Sequence, residues 1–417
     1  YYCANNFKCD YQFNAPFTAW DEVSSTVSFR DAPKDKPFFY VWNTLLTHES
    51  RIWERSNKPL TVNPKDVEIP SYFPDIPEVR NDIARKYSNI EAMDEKVGEI
   101  ISQLKEDGLL ENTIIMFWSD HGGNLLRQKR AVGNSGLNVP LIIRYPNKID
   151  AGKVDDRIVS LMDLGPTVLS LLNIEPPKHY DGKAIAGRYE ESPRKYAFGT
   201  ADRFDESTDM QRSVLDGRYV YIKNFMPELP LIYRNKYRER ITMNSKLIQM
   251  DSLDMLEGDT KYIFMKTKPF EEFYDLETDP YEVDNIIDDP KHADRINDFR
   301  DTLENWQNEI NDKGFIPENK IVESFWPNLI QPKTENVEFK IRDDGLYELT
   351  SITNGASIGY QIEDQIGTNS WSLYHKPILL GDKQKIVARA IRIGYKASEI
   401  TSCLLYTSDA ADERSCG

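Results

Sequence analysis

The stretch from Asn112 to Lys129 constrains the fold most, because a short apolar run leads directly into an acidic, glycine-rich turn. The run from Ile114 to Trp118 is rich in β-branched and aromatic residues, which is typical of a buried central strand in a parallel sheet. In open α/β sheets, ligands bind beyond the carboxyl ends of the strands. The sequence therefore predicts that Asp120 and His121, which follow this strand, lie in a crevice.

The turn combines candidate metal ligands with candidate anion-binding groups. Asp120 and His121 are adjacent, and a carboxylate oxygen and an imidazole nitrogen can share one hard or borderline cation. Arg127, Lys129 and Arg130 follow within the same stretch and can bind an anion. On the residues alone, a polar turn after a core strand remains the alternative interpretation.

Length and composition exclude several classes of protein. The chain has 417 residues, which predicts two domains, and its hydrophobic content of 40% is typical of globular proteins. No stretch approaches the roughly 18 uninterrupted apolar residues of a membrane span. A formal net charge of −16 argues against non-specific nucleic-acid binding and against an anionic membrane surface as partner. The oligomeric state stays open.

The order of predicted elements indicates the fold class. Apolar residues recur at helical spacing from Ile83 to Leu104, just before the strand described above. Short apolar runs at Pro37 to Thr44, Val139 to Tyr145 and Ile158 to Met162 predict further strands. This helix-then-strand order predicts an α/β domain with a doubly wound, mostly parallel sheet and helices on both faces.

The second half of the chain changes character. From Val337 to Ile393, short strand-like runs are separated by Gly, Asp and Asn, which predicts a small all-β sandwich. From position 402 the pattern breaks, and we interpret this segment as a non-native tail. The predicted domains are an α/β domain over 1–325 with a smaller α+β subdomain from about 225, an accessory β-sandwich over 335–400, and the tail over 402–417.

Three phrases carry a resemblance to a known family. They are KPFFYVWNTLLTHES at 36–50, SDHGG followed by RQKR at 119–130, and EFYDLETDPYEVDN at 272–285. In this order they resemble the sulfatase family of the alkaline-phosphatase-like superfamily, and most closely the bacterial sulfatases grouped with heparan N-sulfatases. The resemblance implies a hydrolase that cleaves sulfate esters or sulfamates on a sulfated oligosaccharide or polysaccharide, in the periplasm or outside the cell.

The resemblance assigns roles to residues of the turn and of an earlier segment. Asp120 and His121 match the family's later pair of calcium ligands, and Lys129 matches the amine that steadies the sulfate. His48 matches the histidine that contacts the substrate, and it is suited to donate a proton to the leaving group. Glu49 could orient it. Without the resemblance, His48 would be interpreted as a structural histidine.

Two further segments contribute candidate substrate contacts. The phrase NNFKCDY at 5–11 resembles the segment in which a lysine reaches the sulfate, so Lys8 takes that role by resemblance. Asp10 stands where many relatives have histidine, so no histidine function is transferred there. Arg203 and the acidic residues after it match the family's turn into a late strand and could bind hydroxyl or amino groups of a sugar. The alternative interpretation of these charged residues is a solvated surface.

The family's nucleophile has no counterpart in this sequence. The resemblance implies attack on sulfur by the hydrate of a formylglycine, made from the Cys or Ser of a C/S-x-P-x-R motif, with calcium polarising the sulfate oxygens. Neither this motif nor the family's early aspartate pair for calcium occurs here. Because both would precede the first residue of this chain, we expect an N-terminally truncated sulfatase that is inactive as written.

Two alternatives stay open on the sequence. A phosphomonoesterase or phosphodiesterase of the same superfamily would use the same strand-end metal chemistry with a Ser or Thr nucleophile. A non-catalytic glycan-binding protein could have kept the pocket without the reaction. The segment that carries the nucleophile would distinguish them, since C-x-P-S-R indicates a sulfatase and an isolated Ser or Thr indicates phosphate chemistry.

Overall fold

The computed structural model describes residues 1–368, 370–381 and 384–404. The chain divides into two compact units, one formed by Tyr1–Asn43 with Phe315–Gly417 and the other by Thr44–Gly314. The α-helices are α1 Ser50–Glu54, α2 Pro77–Glu106, α3 Asn134–Leu137, α4 Leu164–Leu171, α5 Thr242–Ser252, α6 Gly258–Ile263, α7 Ala293–Glu309 and α8 Glu318–Phe325. The strands are β1 Tyr2–Asn5, β2 Glu22–Val23, β3 Phe38–Val41, β4 Ile115–Trp118, β5 Leu141–Arg144, β6 Ala197–Phe204, β7 Ser207–Leu215, β8 Tyr219–Asn224, β9 Glu271–Asp275, β10 Glu338–Ile341, β11 Tyr347–Thr350, β12 Ser357–Ile362, β13 Ser372–Leu373, β14 Lys385–Ile391 and β15 Thr401–Leu404. The predicted mixed α/β class is confirmed.

The first unit holds a parallel sheet of the kind expected in an α/β protein. Strands β2 and β3 both pair in parallel with β1, and Cys3 lies opposite Phe39. Beyond the carboxyl ends, Asn6 accepts a hydrogen bond from the Asn43 N–H at 2.7 Å and donates to its carbonyl at 2.8 Å. These two hydrogen bonds connect the end of β1 to the end of β3, because an Asn side chain can donate and accept at the same time.

The later strands of the first unit are antiparallel, as predicted for the C-terminal segment. Strand β10 pairs with β11, and a four-stranded sheet has the order β13-β12-β14-β15. Their core includes the buried residues Tyr347, Ile386 and Ala388. The boundaries predicted for an accessory domain at 335–400 stay a prediction. The predicted tail begins within β15, and residues 405–417 lie outside the described residues.

Helix α2 forms much of the core of the second unit. It begins with Pro77, whose missing N–H has no partner in the first turn of a helix anyway. Ile83 packs in one cluster with Met243 of α5. Tyr87 and Ile90, which the sequence places on the buried face, are 41% and 37% exposed, so only part of that face is covered. Among the described residues, no helix is both long and apolar enough to cross a membrane.

Asp82 of α2 caps the neighbouring helix α5. The residue before α5 is Ile241, whose side chain cannot accept a hydrogen bond from the first turn. Asp82 Oδ2 accepts one from the Met243 N–H at 2.7 Å. Burial, together with the charge of Glu78, raises the pKa of Asp82 to about 6, although the Met243 hydrogen bond opposes the shift. The carboxyl group that caps α5 therefore ionises at a higher pH than an ordinary aspartate.

We expect Asp82→Asn to remove part of the pH dependence of stability. The folded pKa exceeds the unfolded value of about 4, so the folded protein binds more protons and its unfolding free energy falls as the pH rises from about 4 to 6. The variant keeps an acceptor oxygen but does not titrate. Its unfolding free energy, relative to that of the wild type, should therefore rise by about 2 kcal/mol across this pH range. Urea unfolding at about pH 4 and pH 7 measures the difference. Identical pH dependence of the two proteins would contradict the expectation.

Strand β4 departs from the parallel arrangement predicted for it. It pairs antiparallel with β5 in a two-stranded sheet, with Ile115 opposite Arg144 and Trp118 opposite Leu141. A parallel neighbour needs a long crossover, usually through a helix. The connection here contains only the four-residue helix α3. The chain therefore coils back and returns beside β4 in the opposite direction.

The strand predicted at Ile158 to Met162 is not formed. Ile158 makes an isolated bridge to Arg194. Ser160 and Asp163 then form a capping box, which turns the chain into helix α4. The polar capping residues override the β-propensity of the apolar residues between them.

The second unit also contains an antiparallel sheet with the order β6-β7-β8-β9. Its buried residues Tyr221 and Phe273 pack against Phe299 and Leu303 of α7. Strands β6 and β7 are joined by a two-residue turn in which Asp205 has a φ of +52°. Aspartate tolerates this left-handed conformation better than most residues.

Candidate functional site

The turn after β4 takes its shape from two glycines. The Gly122 N–H donates to the Gly136 carbonyl at 2.8 Å, and a Cβ at Gly122 would overlap the Ser135 carbonyl oxygen. The chain then folds back, and the Lys129 N–H donates to the Gly123 carbonyl at 2.8 Å. These close backbone approaches require residues without a side chain. They bring Lys129 beside the end of the strand.

Lys129 meets His48, which lies 81 positions earlier in the chain, with Nζ 3.5 Å from Nε2. The Ser50 N–H donates to His48 Nδ1 at 3.3 Å, and in the tautomer that accepts this bond the proton of the neutral imidazole is on Nε2. Asn124 donates to the Thr47 carbonyl at 2.9 Å and so holds the His48 segment against the turn. An ammonium and an Nε2–H are both donors. This donor pair is therefore suited to share one anionic acceptor.

Glu49 lies buried next to the donor pair. Its side chain is 0% exposed and lies 3.6 Å from Lys129 Nζ. Arg130 donates to both of its carboxylate oxygens, at 3.0 and 2.9 Å. Burial acts to raise the pKa of Glu49, but the hydrogen bond and charge of Arg130, followed by the charges of Lys129 and Arg238, hold it below its ordinary value. Glu49 therefore pairs with Arg130, and Ser50 donates a hydrogen bond to the His48 ring.

Asp205, Asn235 and Arg238 extend this charge network. Asp205 accepts from Arg130 Nε at 2.8 Å and from Asn235 Nδ2 at 2.6 Å. Arg238 donates to the Lys129 carbonyl at 3.0 Å. Burial and the charge of Arg130 lower the pKa of Arg238 to about 10, so it stays cationic at neutral pH. Three cations thus face two carboxylates, and the centre is locally positive although the chain is acidic overall.

A cavity of about 80 Å³ borders the same network. Its charged lining residues include Lys129, Arg130, Arg238, Asp209, Glu272 and Glu282. The buried Nε of Arg238 has no hydrogen-bond partner among the described residues. A polar cavity of this size can hold ordered water. Lys129 lines this cavity, whereas His48 and Asp120 do not.

Asp120 and His121 lie close enough together for one cation to contact both side chains. Asp120 Oδ1 lies 3.7 Å from His121 Nε2. His121 Nδ1 lies 2.7 Å from the Gly122 carbonyl, which assigns the proton to Nδ1 and leaves the Nε2 lone pair near the carboxylate. Two acceptors at this distance favour a cation between them.

Asp120 and His121 alone would provide only part of the ligands that a metal ion needs. Within the described part of the chain, no group of three or more His, Cys, Asp or Glu residues could hold a metal. Calcium takes roughly six to eight oxygen ligands. The donor set of Asp120 and His121 therefore fits two positions of a divalent-cation site and leaves the others to further ligands.

The two remaining predicted site residues, Lys8 and Arg203, lie in different parts of the structure. Lys8 belongs to the first unit, where its amine is 3.5 Å from an oxygen of Asp10. Arg203 is an exposed residue of β6. Their roles as substrate contacts stay predictions. Asp205, which the sequence groups with Arg203, is engaged by Arg130 instead.

The sequence does not indicate Asn235 or Arg238 as residues of the site. Both lie in a charged segment that lacks clear helical or strand periodicity. Nothing in the local pattern distinguishes a buried arginine from a solvated one. Arg238 becomes part of the site only by reaching the carbonyl of Lys129, 109 positions earlier.

Comparisons with known proteins extend this description. The sulfatase family model matches residues 14–174. The chain is 36% identical to an ulvan-active sulfatase from Formosa agariphila, over 96% of this chain and 73% of that protein. It is 26% identical to the N-sulphoglucosamine sulphohydrolase of Homo sapiens, over 66% of this chain and 57% of that protein. A putative sulfatase structure from Bacteroides fragilis aligns with a TM-score of 0.47 and 21% identity, covering 67% of this chain and 56% of that one.

The protein has a mixed α/β fold, and a cluster of cations lies near the turn after strand β4. The identity of 36% to a sulfatase extends over 96% of this chain and shows to which family it belongs. The chain belongs to the sulfatase family.

Proposed function

We propose that the protein to which this sequence belongs removes sulfate from a sulfated oligosaccharide or polysaccharide. The donor pair carries the proposal, because Lys129 Nζ and His48 Nε2 lie 3.5 Å apart and can share one sulfate oxygen. The names of two relatives, an ulvan-active sulfatase and an N-sulphoglucosamine sulphohydrolase, support a sulfated saccharide as the substrate.

Each residue of the site would make a separate contribution. Lys129 would bind a sulfate oxygen and balance its charge. His48 would donate a hydrogen bond from Nε2 or, when protonated, deliver a proton to the leaving oxygen or nitrogen. Arg130 would neutralise Glu49, which leaves the charge of Lys129 for the substrate. The formylglycine expected by resemblance has no matching motif in the sequence. We therefore assign these residues only to binding and proton transfer.

Calcium is the cation that we propose for Asp120 and His121. Their two acceptors would hold part of its coordination shell. When bound, calcium would polarise the sulfate oxygens. The rest of the shell would come from ligands other than these two.

Replacing Asp120 with asparagine is expected to weaken calcium binding by about tenfold or more, because a charged oxygen is lost from the shell. Thermal unfolding of the full-length protein during a calcium titration measures the affinity, since a ligand that binds the folded state raises the melting temperature. Asp254→Asn is a matched control, because the Asp254 side chain is 86% exposed and pairs with Lys261. An unchanged calcium response in Asp120→Asn would contradict the assignment.

Sulfate release tests the proposed function. The full-length protein is incubated with ulvan oligosaccharides, glucosamine N-sulfate or p-nitrophenyl phosphate, and the released ion is measured by chromatography. Sulfate release from either saccharide supports the proposal. Faster release of phosphate would favour a phosphatase, and saccharide binding without sulfate release would favour a glycan-binding protein.

We also propose that the protein acts in the periplasm or outside the cell. Sulfated polysaccharides are large and polyanionic, so an enzyme that degrades them would meet them before uptake. Fractionation of cells that express the full-length protein tests the location. Recovery only from the cytoplasm would contradict it.

A further inference from the structure

We propose that Tyr237 is the platform on which the sugar ring of the substrate stacks. This inference rests on the proposed function, and it adds a saccharide-binding subsite to the sulfate-binding pair. Tyr237 is 39% exposed. Its ring centroid lies 6.3 Å from that of His48, at an interplanar angle of 59°. An exposed aromatic ring therefore adjoins the histidine of the donor pair.

The Tyr237 ring is supported from within the protein. Trp53 packs against it edge-to-face, with centroids 4.9 Å apart and an interplanar angle of 83°. The guanidinium of Arg240 in turn lies over the Trp53 ring, 4.7 Å from its centroid. This aromatic and cationic packing restrains the orientation of Tyr237. A restrained ring loses little freedom when a ligand stacks on it, so it is better prepared for binding than an isolated surface tyrosine.

The position of Tyr237 is linked to that of Lys129. Tyr237 immediately precedes the short 3-10 turn Arg238–Arg240, and Arg238 of that turn donates to the Lys129 carbonyl at 3.0 Å. The same segment thus holds the backbone of Lys129, whose amine would bind the sulfate, and presents the Tyr237 ring beside His48. A sulfate and the sugar that bears it need two such surfaces next to each other.

The chemistry of the two surfaces matches a sulfated pyranose. A pyranose has polar edges and a face of C–H groups, and the face of an aromatic ring carries partial negative charge that attracts such hydrogens. Small-molecule sites commonly combine aromatic walls with a few placed polar groups. A single exposed tyrosine elsewhere on the surface would need no explanation. Here the neighbouring donor pair and the rigid support favour a binding role.

Isothermal titration of the same protein that is used for the sulfate-release assay, with an ulvan oligosaccharide and with inorganic sulfate, tests the inference. Tyr237→Ala should weaken oligosaccharide binding about tenfold, which corresponds to about 1.4 kcal/mol, and leave sulfate binding unchanged. Tyr237→Phe should bind within about twofold of the wild type, since the ring face is kept. Tyr180→Ala is the matched control, because Tyr180 is 43% exposed and also packs on a histidine, His179, outside the site.

The outcomes separate this inference from the proposed function. If the wild type binds neither ligand, the proposed function fails. If the wild type binds both and Tyr237→Ala binds the oligosaccharide as tightly, only the stacking role of Tyr237 is overturned. Equal weakening of both ligands in Tyr237→Ala would also overturn it, since the residue would then act through His48. Tyr237→Leu, which keeps bulk beside Trp53 but lacks a ring, should behave like Tyr237→Ala if stacking matters.

Discussion

Glu49→Ala is expected to lower the unfolding free energy by about 3 to 5 kcal/mol, the range for breaking a buried ion pair by removing one partner. The carboxylate is fully buried and accepts two hydrogen bonds from Arg130. Its removal leaves Arg130, Lys129 and Arg238 as neighbouring cations with one carboxylate fewer. Urea unfolding of this chain measures the loss.

Glu54→Ala is the control for this substitution. Glu54 also pairs with an arginine, Arg51, at 2.6 Å, but both side chains are more than 30% exposed. Such surface pairs contribute about 0 to 1 kcal/mol. If Glu49→Ala destabilises the protein no more than Glu54→Ala does, the buried network is not a source of stability.

The pH dependence gives an independent check on Glu49. Its pKa is held below the ordinary value, so its stabilising contribution is present above the unfolded pKa of about 4 and is lost as the pH falls through the folded pKa. The stability difference between wild type and Glu49→Ala should therefore shrink below about pH 4. A difference that stays constant there would contradict the charged state assigned to Glu49.

Lys129→Ala is expected to lower kcat/KM for sulfate release by the full-length protein by about 100- to 1000-fold, as for the loss of one preorganised charge-stabilising donor. The variant removes the ammonium that lies 3.5 Å from His48 Nε2 and leaves that nitrogen as a lone donor for the sulfate. Lys129→Arg should be more active than Lys129→Ala but less active than the wild type, because the positive charge remains while a planar guanidinium replaces the compact ammonium. Initial rates of sulfate release measure both variants.

Lys96→Ala provides the comparison for a lysine that pairs with a carboxylate outside the site. Lys96 lies on α2, is 49% exposed and contacts Glu99 at 2.7 Å. It should release sulfate at the wild-type rate. A Lys129→Ala protein that stays within about threefold of the wild type would remove Lys129 from the proposed mechanism.

Local elements of the fold follow closely from the sequence. The apolar run at Ile114 becomes β4, and the helical spacing after Ile83 lies within α2. The pairing of β4 does not follow, because the same run suits either a parallel or an antiparallel neighbour. What decides it is the path of the connecting segment, which the two glycines and α3 fold into a compact turn.

The sequence by itself determined the family resemblance and the residues of the strand-end turn, among them Asp120, His121 and Lys129. Those residues follow one another along the chain, so a local pattern is enough to identify them. Only the tertiary structure decided that Arg130 pairs with Glu49 and that Arg238 donates a hydrogen bond to the Lys129 carbonyl. These partners are distant in sequence, and whether a charged side chain is buried or solvated depends on what the folded chain places around it.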